Sequence, residues 1–266
     1  MIYSYSQISS YLSCPRQYRY RYLQGWREKD VRANMIFGRV FEKALAAYFR
    51  GQDSLQTLHN EWAVFREAGL EYSRGDTWDT MFQQGMQLLE RFCQDNRVHV
   101  ANPAPHLQVK ITRQLSAGTE FVAYIDAVGE LDHKASIIEW KTSGARYSEQ
   151  PAGILALDPQ LLCYSWLTGQ PCVAMVVFVR KRSPEIQYLT CEISEEQRRE
   201  CGQLVEETIS RIEAAQFLPH SGIRFPNSNC VSCSCLGLCL NRTELIDANL
   251  VHGSNTDLDW INELDC

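Results

Sequence analysis

The chain has 266 residues, 45% of them apolar and 22% charged, and a net charge of −6. That is length for one large domain or two small ones, with a composition ordinary for a soluble globular protein with a sizeable core. It excludes a uniformly basic nucleic-acid binder, and an apolar run no longer than Val173–Val179 excludes a membrane-spanning helix.

Met1 leads straight into Ser4, Ser6, Ser9 and Ser10 with no basic start and no apolar stretch, so no secretory signal is predicted and a cytoplasmic location is expected. The charge is uneven. Residues 16–32 carry Arg16, Arg19, Arg21, Arg27, Lys29 and Arg32 against only Glu28 and Asp30. After Arg242 there is no Lys or Arg, while Glu244, Asp247, Asp257, Asp259, Glu263 and Asp265 follow. A local basic face is therefore open beside the reading of a solvated helix whose arginines cover apolar surface.

Ser4 and Gln7 fit a capping box, which predicts a short helix from Tyr5 to Leu12. Pro15 suits the first turn of a second helix to Leu23, closed by Gly25. Along this stretch Tyr11, Tyr18 and Tyr22 keep helical spacing and Tyr20 lies off the line. Met35–Arg50 reads as a helix with Phe37, Phe41, Leu45 and Tyr48 on one face, stopped by Gly51. Helices follow over Leu55–Glu67 and Trp78–Asn96, before Asn102, Pro103 and Pro105 break the chain. From Leu107 the period becomes two: strands are predicted over Leu107–Leu115 and Glu120–Leu131, joined at Ser116–Thr119, and over Ser136–Lys141. A helix at Asp158–Thr168 leads to the apolar run Cys172–Val179, typical of a strand buried on both faces. Ile186–Ile193 makes one more strand, and Ser194 caps a long helix to about Ala215. The order is helices, then β-β-β-α-β-β-α, then a cysteine-rich end.

The chemistry concentrates at Asp126 and at Glu139-Trp140-Lys141. Side chains two apart on a strand share a face, so Glu139 and Lys141 point one way and Ile138 and Trp140 the other. A hairpin pairing can bring Asp126 beside Glu139. Two carboxylates and an amine at one spot are unfavourable unless an ion is bound there. A hard cation such as Mg²⁺ takes oxygen ligands, activates a water for attack on a phosphodiester and stabilises the developing charge. A cross-strand salt bridge between Lys141 and one of the acids is the plainer alternative.

The conjunction of motifs resembles the RecB-like branch of the PD-(D/E)XK nucleases, which includes the nuclease of the AddB helicase subunit and the CRISPR-adaptation exonucleases. Tyr5–Tyr18 resembles the opening segment of that family and Gly38–Glu42 its glycine-plus-histidine helix. Asp126 and Glu139-Trp140-Lys141 match the metal and catalytic motifs, and Gln160 with Tyr164 the Gln-x-x-x-Tyr helix motif. Two departures stand out: Ile125 occupies the place of a common proline, and Glu42 that of a histidine metal ligand. The resemblance implies an α/β fold, a restriction-endonuclease-like mixed central sheet flanked by helices. It also implies Mg²⁺ or Mn²⁺ held by Glu42, Asp126 and Glu139, with Lys141 assisting the water. Gln160 and Tyr164, sharing a helix face, would touch the DNA backbone or buttress the lysine.

Eleven cysteines in a chain of this kind point to metal or redox chemistry rather than a disulfide frame. Cys93, Cys163, Cys172, Cys191 and Cys201 are scattered singly, where a thiol acts as a small hydrophobe. Cys230, Cys233 and Cys239 cluster in a Gly/Ser-rich segment, with Cys235 among them. Soft thiolates suit either zinc or an iron–sulphur centre. The resemblance implies a 4Fe–4S cluster on Cys14, Cys230, Cys233 and Cys239, with Cys235 spare, tying the N-terminal helical segment to the cysteine-rich end. On this reading residues 1–240 form a single nuclease domain, with a helical part over 1–100 and a nuclease core over 101–215. Residues 241–266 are an acidic tail.

The expected function is a metal-dependent deoxyribonuclease, more an exonuclease than an endonuclease, leaving 5′-phosphate and 3′-hydroxyl ends. Its settings would be DNA repair and recombination, phage DNA processing or CRISPR adaptation. The alternative is a non-catalytic or partner-dependent DNA-binding subunit. No Walker-type phosphate loop occurs, so any helicase motor would be a partner protein. Arginines and tyrosines at 16–22 and the run Arg180-Lys181-Arg182 are the candidate DNA contacts.

Overall fold

The Ser4 hydroxyl accepts from the Gln7 N–H at 3.4 Å, closing a three-residue strand and opening a helix in one step. The structure is a computed structural model and describes residues 1–116, 118–219 and 228–253. The described strands are β1 (Ile2–Ser4), β2 (Trp26–Glu28), β3 (Val98–His99), β4 (Leu107–Ser116), β5 (Thr119–Leu131), β6 (Lys134–Ser143), β7 (Cys172–Val179), β8 (Glu185–Glu192) and β9 (Leu250–His252). The N-terminal helices are α1 (Tyr5–Ser13), α2 (Pro15–Tyr18), α3 (Ala33–Phe49), α4 (Ser54–Ala63) and α5 (Trp78–Asp95). They are followed by α6 (Pro103–His106), α7 (Pro159–Thr168), α8 (Glu195–Glu213), α9 (Ser228–Val231), α10 (Leu236–Leu240) and α11 (Thr243–Asn249). None of the described helices is long and apolar enough to cross a membrane.

Among the described residues β1 and β3–β8 make a mixed sheet in the order β1-β5-β6-β7-β8, with β3 and β4 also paired to β5. The β5–β6 and β7–β8 pairs are antiparallel, and β6–β7 and β1–β5 parallel. The chain falls into two compact units.

One unit holds Val31–Ile111 and Tyr124–Gly202. Its core lies where α3 and α5 meet the sheet. Ile36, Phe37, Phe41 and Leu45 of α3 and Met81, Leu88 and Leu89 of α5 are all buried, as is β7 from Val173 to Val179. β7 therefore reads as a continuous apolar run because helices cover it on both faces. The β5–β6 turn is two residues, Asp132 and His133, both with positive φ (51° and 65°), the mirror-image turn that matches strand twist. It fixes the register from Leu131↔Lys134 to Ala127↔Ile138.

The other unit holds Met1–Asp30, Thr112–Ala123 and the described residues from Gln203 onward. Tyr11 and Tyr18 are each 3% exposed and meet edge to face at 5.7 Å, and the Tyr11 hydroxyl donates to the Gln216 carbonyl at 2.6 Å. The helix expected over Pro15–Leu23 changes after Tyr18 into one π-helical turn, Arg19–Leu23, in which Gln24 N–H reaches the Arg19 carbonyl at 3.0 Å. Residues 241–253, expected as the start of a tail, form α11 and β9, and β9 pairs antiparallel with β2. The remainder of that tail, 254–266, lies outside the described residues.

Candidate active site

The hairpin register decides where the acids fall. The β5–β6 ladder runs to Ala127↔Ile138, and one step further the Asp126 carboxylate takes over from the backbone: its Oδ2 accepts from the Trp140 N–H at 2.8 Å. Continuing the register sets Asp126 opposite Glu139, on one face. Trp140 points the opposite way, stacked on Phe49 at 6.0 Å and edge-on to Phe92 at 5.9 Å. Glu139 is 2% exposed; its Oε1 accepts from the Lys141 ammonium, while its Oε2 is buried with no hydrogen-bond partner.

From Lys141 a chain of hydrogen bonds runs in one direction. The ammonium donates to Gln160 Oε1 at 2.9 Å, Gln160 Nε2 donates to the Tyr164 hydroxyl at 2.7 Å, and that hydroxyl donates to the Tyr124 carbonyl at 2.6 Å. Helix α7 can present both side chains because its start is well fixed. Asp158 Oδ1 accepts from the Gln160 and Leu161 N–H groups at 3.0 and 2.9 Å, and Pro159 occupies the first turn. The chain ends on β5 two residues before Asp126. Lysine and aspartate are thus braced by one network, and Tyr164, 3% exposed, does its bonding inside the protein.

Electrostatics follow from this crowding. Burial, then the charges of Glu139 and Glu42, hold the Asp126 carboxyl well above the usual aspartate range. Burial also raises Glu139, against the opposing pull of Lys141. Burial works against the charge on Lys141, but Glu139 and Asp126 outweigh it and the group stays an ammonium. Such an acid pair is relieved by a cation or a proton.

Glu42 is half-buried on α3 and accepts from Gln108 Nε2 at 3.1 Å. Gln108 was not anticipated from sequence. It holds φ 51°, unusual for a non-glycine residue and a kind of strain that collects at functional sites. The three carboxylates expected to share a metal act on one another electrostatically. However, among the described residues no group of three or more His, Cys, Asp or Glu is gathered to hold a metal ion. Each carboxylate has a partner of its own: Lys141 takes an oxygen of Glu139, the Trp140 N–H one of Asp126, and Gln108 one of Glu42. The donor set itself suits a hard divalent cation, being all oxygen with one buried oxygen left without a donor.

Cys14, Cys230, Cys233 and Cys239 do not form a metal-holding group among the described residues. Cys233 instead pairs with Cys235, whose hydrogen bond pushes the Cys233 thiol down to about 7. Cys239 is hydrogen-bonded to Tyr20 and Arg16. Cys235, expected as the spare, is 5% exposed.

The basic run after β7 also needs correction. Arg180 is 6% exposed, donates to Asn34 Oδ1 at 2.6 Å and lies over the Phe37 ring at 5.2 Å; it is an internal tie and not a groove arginine. Lys181 pairs with Glu185 at 2.6 Å.

The pattern of the PD-(D/E)XK nuclease superfamily matches residues 2–240, and the chain belongs to that superfamily. Its mixed sheet with flanking helices is the restriction-endonuclease-like arrangement expected from sequence. No curated protein matches the chain significantly. Among solved structures, a proposed exonuclease from Eubacterium rectale is similar at 13% identity and a TM-score of 0.47, covering 81% of this chain and 82% of that one. A protein named SSO0001 is similar at 18% identity and a TM-score of 0.35, covering 76% and 81%.

Proposed function

We propose that the protein is a divalent-cation-dependent deoxyribonuclease acting from DNA ends, with Asp126, Glu139 and Lys141 as its reactive centre. The observation that carries this reading is the buried Glu139 Oε2 without a donor, beside an aspartate that its own surroundings resist ionising. A cation, Mg²⁺ or Mn²⁺, would be held by Asp126 and Glu139 with Glu42 nearby, and would supply an activated water and charge stabilisation. Lys141, kept protonated, donates to a phosphate oxygen and orients the attacking water. Gln160 and Tyr164 hold the ammonium in place. Hydrolysis leaves a 5′-phosphate and a 3′-hydroxyl, as the RecB-like resemblance implies.

Linear and circular DNA, single- and double-stranded, incubated with the protein and Mg²⁺ or Mn²⁺, test the reading. Linear substrates should shorten from their ends while closed circles persist. Equal cutting of circles would make the protein an endonuclease, and no hydrolysis of any form would return it to a DNA-binding subunit of a helicase–nuclease or CRISPR-adaptation assembly.

The same resemblance supports a 4Fe–4S cluster on Cys14, Cys230, Cys233 and Cys239, and the lowered Cys233 thiol and neighbouring soft donors favour metal binding in that segment. Iron and sulphide determination on anaerobically purified protein tests it. Stoichiometric iron that survives Cys14→Ala but not Cys235→Ala would move the fourth ligand to Cys235.

A further inference from the structure

Between β6 and α7 the chain crosses residues 144–153 without forming a helix or strand, yet it is firmly pinned. Gln187 on β8 is 3% exposed and gives its whole amide to this strap. It accepts from the Tyr147 N–H at 2.8 Å and donates to the Tyr147 carbonyl at 3.2 Å and to the Glu149 carboxylate at 2.9 Å. Arg146 adds ion pairs to Glu149 at 2.6 Å and Glu185 at 3.3 Å. A buried polar side chain committed to fixing one backbone position points to a residue whose placement matters.

The sheet register says where that position is. Gln187 is aligned with Val177, and Val177 with Lys141. The three share a face, and Gln187 lies two strand spacings, about 10 Å, from the lysine. The Tyr147 phenol is close enough to act on the Lys141 charge. Despite its fixed backbone, Tyr147 remains 38% exposed. Across the site Tyr124, two residues before Asp126 and so on the same face, is 37% exposed with the Lys110 ammonium 5.9 Å from its ring centroid. Tyr124 is thus an open ring on the face of the acids, and Tyr147 an open ring within electrostatic reach of the amine. Neither is needed for the core, and both have the character of surfaces on which nucleic-acid bases stack.

We propose that Tyr147 is a substrate-contacting residue that stacks an unpaired base beside the scissile phosphodiester, with Gln187 as its positioning residue. This rests on the nuclease reading and adds a binding residue and its positioner to the same site. In a duplex each base is already stacked and paired, and a ring can reach it only after unstacking.

The test is binding of the full chain to a labelled single-stranded oligonucleotide and to a blunt duplex, with Ca²⁺ in place of the catalytic cation. Tyr147→Ala should weaken single-strand binding by roughly five- to a hundred-fold and leave duplex binding unchanged. Tyr147→Trp should restore it, and an abasic oligonucleotide should bind parent and Tyr147→Ala equally. Gln187→Leu should lower single-strand binding in the parent and add nothing in the Tyr147→Ala background, whereas a merely structural Gln187 would add its loss in both. Single-strand binding by Tyr147→Ala equal to the parent, or equal losses on both DNA forms, would overturn the proposal. Failure of the nuclease reading shows separately, as a parent protein that hydrolyses nothing in Mn²⁺ while the binding difference persists.

Discussion

The Lys141 ammonium donates to the Gln160 amide oxygen at 2.9 Å, so the lysine is held from a helix as well as from the carboxylate beside it. A lysine with only Glu139 as partner would swing with it. Gln160 and Tyr164 give it a second anchor that runs back to the backbone of β5.

Tyr164→Phe keeps the buried ring but removes the hydroxyl linking Gln160 to the Tyr124 carbonyl. The turnover rate should fall about 10- to 100-fold with KM little changed, the scale on which small misplacements of catalytic groups act. Steady-state kinetics on labelled DNA check it. A raised KM with unchanged turnover would make Tyr164 a DNA contact instead.

Asp126→Asn keeps an oxygen for the Trp140 N–H and offers an N–H to the orphaned Glu139 Oε2. In cation-free buffer the variant should be more stable by about 1 kcal/mol, a Tm rise of roughly 2–4 °C, while losing DNA cleavage. Thermal melts in a chelator, repeated with Mn²⁺, measure it. The added cation should stabilise the parent and not the variant.

That difference should depend on pH in a defined sense. Burial and the neighbouring acids raise the folded-state pKa of Asp126. Its favourable contribution is therefore complete below the ordinary aspartate value and is lost as pH climbs through the raised folded value. Without cation, the Tm advantage of Asp126→Asn should be small in acid and widen toward neutral pH. A gap that narrows with rising pH would contradict the assignment.

Much of this site was legible in the sequence because its parts are local. Period two places Glu139 and Lys141 on one face, a two-residue turn brings β5 back along β6, and four-residue spacing puts Gln160 and Tyr164 together. The missed parts depend on contacts across long separations. β1 and β9 are three residues each, too short to show a period, and exist through their pairing with β5 and β2. Gln187 and Tyr147 lie 40 residues apart, and nothing in either segment announces a clamp. Arg180 belonged to a basic run that reads as a candidate DNA contact, because its burial comes from α3 and the loop before α5. Glu42 sits at the motif position, but only the strained Gln108 shows what its carboxylate touches.

Gly129 illustrates the packing side of the same sheet. A Cβ there would fall 2.4 Å from the His99 carbonyl oxygen, backbone that cannot step aside cheaply. Gly129→Ala should destabilise by about 1–3 kcal/mol, read as a lower urea midpoint at unchanged slope. A midpoint equal to the parent's would mean that β3 can lift from β5 without loss.

On the proposed reading, two acids and one amine on neighbouring strands act together on a DNA phosphodiester. The most direct test is the initial rate of DNA hydrolysis in Mn²⁺ by the parent protein and by Lys141→Ala, with circular dichroism confirming that both are folded. The predicted result is a fall of roughly a hundred- to a thousand-fold in the variant, the scale of losing one preorganised charge donor. Hydrolysis by folded Lys141→Ala at the parent's rate would contradict it.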